Sequence, residues 1–282
     1  MSYIKKHRRV SIAMAIYNCS DTLKEAIDSI IAQTYKDWEL IMCDDGSHDN
    51  TLKIAKEYEE KYENILVIQN GENIGLPASL NHCVEHAQGE FIARMDGDDI
   101  SLPERFEVEV SMLNAHPEFA IVSCAMINFD ENGDWGVQRK PEYPTRNDFL
   151  YDSPICHAPC IMRKDALADV GYYTVRPDLR RGQDYFLWHK FYCKGYRAYN
   201  MQTPYYKMRD DQAAAARRGT NLSFRKRFAS RWERAKVQWE IIGNLGFPFY
   251  KRFAVLRPLI IACLPQSIYI YLHKKGINKQ KG

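Results

Sequence analysis

Two hydrophobic periods alternate along the first hundred residues. Val10–Tyr17 is a short apolar run, the pattern of a buried strand. Asp21 reads as a helix N-cap, and Leu23, Ala26, Ile27, Ile30 and Ile31 then recur at helical spacing. Trp38–Cys43 predicts a second strand, closed by Asp44-Asp45-Gly46-Ser47. A helix over 49–61, a strand at Ile65–Gln69, a helix over 76–87 and a strand at Glu90–Met95 continue the series. This order predicts an α/β fold: a mixed, mostly parallel, Rossmann-like sheet with helices on both faces. Ligands of such sheets bind beyond the carboxyl ends of the strands.

Beyond Pro103 the pattern loosens. Glu104–His116 reads as a helix opened by Pro103, and Ala120–Phe129 as a strand. Residues 130–154 read as a loop near the cleft, Ile155–Arg163 as strand-like and Gln183–Lys194 as a helix. Further on, Phe224, Phe228, Trp232, Ala235, Trp239 and Ile242 fall on one helical face. Phe253–Leu272 then holds 15 apolar residues in 20, interrupted by Arg257, Pro258 and Pro265, which argues against a spanning helix. A helix lying in a membrane interface, with Tyr269, Tyr271, Lys274 and Lys275 at head-group level, fits better. The plainer alternative is that these helices pack on the body. Three regions follow: 1–102, 103–212 and a helical C-terminal extension, 213–282.

Composition adds little to the fold, since 45% hydrophobic and 27% charged residues are ordinary for a soluble domain. Charge adds more. From Tyr205 onward there are 17 Lys and Arg against 4 Asp and Glu, a net +13, inside a chain whose total is +3. An acidic body with a basic tail suggests an anionic partner, either phospholipid head groups or phosphates. An anionic membrane surface is favoured over nucleic acid, because the tail's arginines alternate with Phe and Trp on a helix that needs its apolar face buried. Eight cysteines without a C-x-x-C spacing argue against a disulfide scaffold or a zinc site and fit a reducing cytoplasm. The basic start before Val10 imitates a signal peptide, but the eight-residue apolar run is too short and lacks a small-residue cleavage site. The expectation is a first strand and a chain that stays inside.

Both acidic clusters follow strands. Asp44-Asp45 ends the second and Asp96-Gly97-Asp98-Asp99 the fourth, so both open onto one crevice. Neither a G-x-G-x-x-G nor a Walker loop follows the first strand. Carboxylates do not bind phosphate directly, so a divalent cation, Mn²⁺ or Mg²⁺, would join Asp96 and Asp98 to a diphosphate.

Ser11–Asn18, Gln33-Thr34-Tyr35, Trp38–Asn50, Asn70–Gly75 with Leu80-Asn81, and above all Gly89–Phe106 resemble the family 2 glycosyltransferases of bacterial exopolysaccharide, capsule and lipopolysaccharide synthesis. The likeness covers about residues 9–210. It implies the GT-A fold and a nucleotide-diphosphate-sugar donor. By that resemblance the backbone at Ala15 and the ring of Tyr17 line the base pocket, and Asp45 accepts the uracil N3–H, which implies a UDP-sugar. Asn73 borders the nucleotide, Asp96 reaches the ribose or a metal-bound water, Gly97 belongs to the nucleotide-sugar site, and Asp98 holds the metal on the diphosphate. Asp184 matches the catalytic base, while its neighbour Gln183 replaces the family's usual glutamate. His157 and Trp188 belong to the acceptor side, and Arg180 and Arg181 are candidates for a diphosphate on the acceptor. No Gln-x-x-Arg-Trp motif follows, so transfer of a single sugar is expected rather than polymerisation. The resemblance further implies inversion at the anomeric carbon, a glycan or polyprenyl-diphosphate-linked acceptor and a peripheral position at the inner membrane face.

Two rival readings stand beside this one. A nucleotide-sugar-binding regulatory protein would keep the pocket without turnover. A sugar-phosphate nucleotidyltransferase would carry a glycine-rich basic loop after the first strand, where Tyr17-Asn18-Cys19-Ser20 stands.

Overall fold

In a computed structural model, residues 9–179, 182–211 and 224–262 are described. Among them, β1 (Val10–Ile16), β2 (Trp38–Asp44), β3 (Ile65–Gln69) and β4 (Phe91–Arg94) alternate with α1 (Leu23–Ile31), α2 (Thr51–Lys61) and α3 (Leu76–His86). These four strands are parallel, with β1 between β2 and β4. The short β5 (Ile100–Ser101) leads into α4 (Arg105–Ala115), then β6 (Phe119–Asp130), β7 (Gly133–Gln138), β8 (Ile161–Arg163), α5 (Lys164–Asp169), α6 (Gln183–Cys193) and β9 (Arg197–Arg209). The strand order is β3-β2-β1-β4-β8-β6-β9-β5, with β7 paired to β6. One sheet therefore runs through both halves of the body.

The period-two pattern of β1 explains its two layers. Val10, Ile12, Met14 and Ile16 face one core with α1 and α4, including Leu23, Ile27, Phe106 and Leu113. Ala13 faces the other, with Leu80 and Val84 of α3 and Tyr185, Leu187 and Trp188 of α6. Each large apolar side chain buried this way contributes roughly 1.5–3 kcal/mol.

Several local expectations differ from the structure. Thr22, not Asp21, stands at the N-cap of α1. The 130–154 stretch is not all loop: β7 forms a hairpin on β6, and residues 146–150 make a 3₁₀ turn closed by a Thr145–Asp148 capping box. Only Ile161–Arg163 of the 155–163 stretch pairs as a strand, since Pro154 and Pro159 interrupt the backbone before it. The long strand β9 and the short β5 have no counterpart in the sequence reading.

Helix α7 (Phe224–Asn244) is followed by a 3₁₀ turn (Phe249–Val255) and α8 (Leu256–Ala262). The face of α7 that packs on the body carries Ala235, Val237, Gln238, Ile241 and Ile242, whereas Phe228 and Trp232 of the expected stripe are exposed. Packing on the body thus holds for the second half of α7. No helix among the described residues is long and apolar enough to cross a membrane. The expected interfacial positions Tyr269, Tyr271, Lys274 and Lys275 lie outside the described residues.

Candidate active site

The parallel strands end where the site begins. A cavity of about 620 Å³ opens at the carboxyl end of β1, lined by Ala15, Tyr17, Asp45, Asn73, Val175 and Arg176 among others. Asp45 is buried, and its carboxylate organises the loop opposite: Oδ1 accepts the N–H of Ile74 and the amide of Asn70, both at 2.9 Å, and Oδ2 accepts the Gly75 N–H at 2.9 Å. Gly75 adopts φ +92°, a conformation that favours glycine, which lets two successive N–H groups point at one carboxylate. Asp49 Oδ1 accepts the Thr51 N–H at the start of α2 at 2.9 Å. Tyr17 is exposed at the rim of the cavity.

The second acidic cluster follows β4. One carboxylate oxygen each from Asp96, Asp98 and Asp99 lies within 4.8 Å of the others. Three hard oxygen donors this close repel one another and suit Mn²⁺ or Mg²⁺. Burial first, then the neighbouring carboxylates, pushes Asp99 well above the usual carboxylate range. Asp96 is raised by burial, against the pull of Arg94, to which it is ion-paired. Gly97 leaves no room for a side chain, since a Cβ there would lie 2.9 Å from Cys19 Sγ and 3.2 Å from Ile16 Cγ2. Ile16 also lines the cavity, so the acidic turn and the cavity share a wall.

Charged and phenolic groups that sequence reasoning missed hold this turn. The backbone N–H of Arg209, at the end of β9, donates to Asp99 Oδ1 at 2.8 Å, and its Nε donates to the Asp98 carbonyl at 2.9 Å. Tyr206 hydrogen-bonds Asp99 and accepts the Asp96 N–H at 3.3 Å. Fully buried Arg105 pairs with Glu109 at 3.2 Å and donates to the Arg94 carbonyl at 2.9 Å. One signal was available: Arg94 sits in an apolar parallel strand, where a buried cation requires a partner.

On the other side of the cleft, Asp184 stands in the first turn of α6 and accepts a hydrogen bond from Ser153 Oγ at 3.1 Å. Gln183 turns back, its Oε1 accepting the Gly182 N–H at 3.1 Å. His157 is hydrogen-bonded to the Tyr173 hydroxyl at 2.8 Å and packs edge-on against Trp188. Burial, then the nearby Arg94 charge, pushes its pKa well below the usual histidine range, so it stays neutral. Trp188 is fully buried, so as an acceptor-side residue it can act only through the side chains in front of it. Tyr173 joins the two sides: its hydroxyl lies in electrostatic reach of both Asp184 and Asp96, and Asn81 clamps its backbone through two hydrogen bonds of 2.9 and 3.0 Å. Arg180 and Arg181 lie outside the described residues.

Comparison with known proteins bears on this geometry. The model of the family described as glycosyl transferase family 2 matches residues 11–171, a stretch that ends before Asp184. The chain is 41% identical to the putative glycosyltransferase EpsE of Bacillus subtilis over 97% of this chain and 96% of EpsE. It is 27% identical to the UDP-Glc:alpha-D-GlcNAc-diphosphoundecaprenol beta-1,3-glucosyltransferase WfgD of Escherichia coli, over 89% of this chain and 92% of WfgD. Among solved structures, S. aureus TarS 1-349 in complex with UDP-GlcNAc superposes with a TM-score of 0.68 at 20% identity, covering 90% of this chain and 72% of that one. The mannosyltransferase PcManGT from Pyrobaculum calidifontis, in complex with GDP-Man and Mn²⁺, gives 0.59 at 19% identity, covering 98% and 77%.

Proposed function

From the premise that the chain belongs to glycosyl transferase family 2 and is a glycosyltransferase with the GT-A fold, we propose that it moves one sugar from a UDP-sugar onto a lipid-linked glycan during bacterial surface-polysaccharide synthesis. The observation that carries this reading is the three-carboxylate turn sharing Ile16 with the cavity of Tyr17 and Asp45. The 1–102 half would take the donor and the 103–212 half the acceptor.

In the donor half, Tyr17, Asn73 and the backbone at Ala15 would line the base. Asp45 Oδ2 accepts one backbone N–H among the described residues, so a lone pair remains for the uracil N3–H. Asp98, with Asp96 beside it and Gly97 giving the close approach, would hold Mn²⁺ or Mg²⁺. The bound cation would offset the charge that grows on the departing UDP. The complexes of TarS with UDP-GlcNAc and of PcManGT with GDP-Man and Mn²⁺ support a donor and a cation of these kinds.

In the acceptor half, Asp184 would take the proton of the acceptor hydroxyl while that oxygen attacks the anomeric carbon. The bond to the diphosphate breaks on the opposite face, so one displacement inverts the centre. His157 and Gln183 would border the acceptor, with Trp188 supporting His157 from behind. WfgD, whose name specifies a diphosphoundecaprenol-linked acceptor, supports an acceptor of that class, which would put the protein at the inner face of the cell membrane.

The test is UDP release from a panel of UDP-sugars with a lipid-linked acceptor fraction, in Mn²⁺ or Mg²⁺ against EDTA. Release should require the cation, vanish in Asp98→Asn and fall about 10²–10⁴-fold in Asp184→Asn, the usual worth of general-base help. UDP-sugar binding without turnover would favour a regulatory protein instead, and absence of UDP binding would overturn the reading.

A further inference from the structure

We propose that the 3₁₀ turn Phe249–Val255, α8 and Tyr151 form the surface on which this protein seats against an anionic lipid bilayer, with the acceptor side of the cleft toward the lipid. The orientation rests on the proposed role of Asp184, whereas the seating does not. Phe249, Tyr250, Phe253, Leu256 and Ile260 each leave about half or more of their surface in water, up to 68% at Tyr250. Five large apolar side chains within twelve residues exceed the scattered exposure normal for a soluble surface. Two of them are packed in place. The rings of Phe249 and Phe253 pack edge-on against each other at 5.9 Å and against Trp239 of α7 at 5.8 and 6.3 Å.

Charge identifies what covers them. From Ile241 to the last residue the chain has no Asp or Glu and seven Lys or Arg. Three of the seven, Lys251, Arg252 and Arg257, stand among the exposed apolar residues, and Arg252 packs its guanidinium over Trp239 at 5.4 Å. Aromatic rings interleaved with long cationic side chains suit the bilayer interface, where the rings enter and the charges reach the head groups. A second copy docked through this face would set Lys251, Arg252 and Arg257 against their own counterparts. A nucleic acid would satisfy the cations and leave Leu256 and Ile260 in water.

The orientation follows from what the patch touches. Arg257 lies over the exposed ring of Tyr151, 5.6 Å from its centre. Next in the chain, Asp152 is ion-paired with Arg234 of α7 and with Lys140 at 3.1 Å. Ser153 then donates its hydrogen bond to Asp184. The patch therefore ends two residues from the contact that holds the proposed base, where an acceptor anchored in the bilayer would present its sugar.

Co-sedimentation of the full chain with vesicles of phosphatidylcholine alone, or mixed with phosphatidylglycerol, tests the seating without any substrate. Binding should require the anionic lipid and weaken with salt. It should fall about tenfold or more in Tyr250→Ser/Leu256→Ser/Ile260→Ser, a triple variant at exposed positions whose melting and UDP binding stay as in the parent. Lys251→Gln/Arg257→Gln should lose the preference for phosphatidylglycerol. Equal binding to both vesicles, or a concentration-dependent dimer in light scattering that the triple variant abolishes, would overturn the proposal. Hydrogen exchange on the vesicle-bound chain reads the orientation: residues 146–153 and 249–262 should gain protection and the donor-side loop 70–75 should not. Protection of that loop instead would overturn the orientation. A chain that binds vesicles as expected yet transfers no sugar would sink the enzymatic reading and leave the seating in place.

Discussion

The two carboxylate centres of the cleft are held in opposite ways. The turn after β4 is cross-linked from three directions: Arg94 from its own strand, Tyr206 and Arg209 from β9, and Arg105 of α4 through the Arg94 carbonyl. Asp184 sits in the first turn of α6, after φ +157° at Gly182, and takes one side-chain hydrogen bond, from Ser153, among the described residues. The first arrangement fits a centre where fixed charges must face a diphosphate without reorganising. The second fits a base that must meet a hydroxyl on a large acceptor. It also makes Asp184 depend on segment 146–155, which α7 supports through Arg234 to Asp152 and Gln238 to the Leu150 carbonyl at 2.9 Å. Helix α7 is thus tied to the segment that holds Asp184 rather than standing apart from the body.

Three measurements would break or sharpen this contrast. The largest effect is expected from Arg94→Met, which leaves the half-buried Asp96 carboxylate unpaired beside two others. Removing one partner of a fully buried pair typically costs about 3–5 kcal/mol, and Asp96 is partly exposed, so urea unfolding should shift by up to that amount. Arg94→Met/Asp96→Asn should recover part of the loss, and wild-type stability in the single variant would mean the turn is not locked by charge.

A smaller effect is expected at Ser153, which we regard as a positioning residue for Asp184. Ser153→Ala should lower kcat about 3- to 10-fold, a fraction of the roughly 1.5–3 kcal/mol of a hydrogen bond to a charged group. KM for the UDP-sugar should stay unchanged, and Ser153→Thr should restore much of the rate. A change in KM alone would show that the contact serves donor binding instead.

A third effect, confined to acid pH, concerns the seam between α6 and α7. His189 is buried there, with Asn244 at 3.3 Å, and burial pushes its pKa down to about 4. The unfolded chain, with a histidine near its ordinary 6.5, binds the proton first as pH falls. The stabilising preference for neutral His189 is complete above pH 6.5 and lost progressively toward pH 4, by on the order of 2 kcal/mol at pH 5. His189→Gln should flatten the pH dependence of the urea midpoint between pH 7.5 and 5 by up to that amount. An unchanged slope would assign the pH dependence to other groups.

The alternation of periods, and the acids placed after β2 and β4, fixed the parallel half of the sheet and the whereabouts of the two carboxylate clusters, because those features are local to a strand and the turn that follows it. The same locality explains why α4, β6 and α6 were legible within a residue or two. Tertiary structure alone decided the rest. β9 alternates poorly and pairs with β6 some eighty residues away, so only packing reveals that it delivers Tyr206 and Arg209 to the acidic turn. Ser153 and Asp184 are 31 residues apart, and neither carries a spacing signal for the other. The stripe on α7 was read from a full helical face, yet the body covers only its second half, since burial depends on where a neighbouring surface ends. Periodicity records which way a side chain points. Which partner it meets there is set by contacts between segments that the chain order does not bring together.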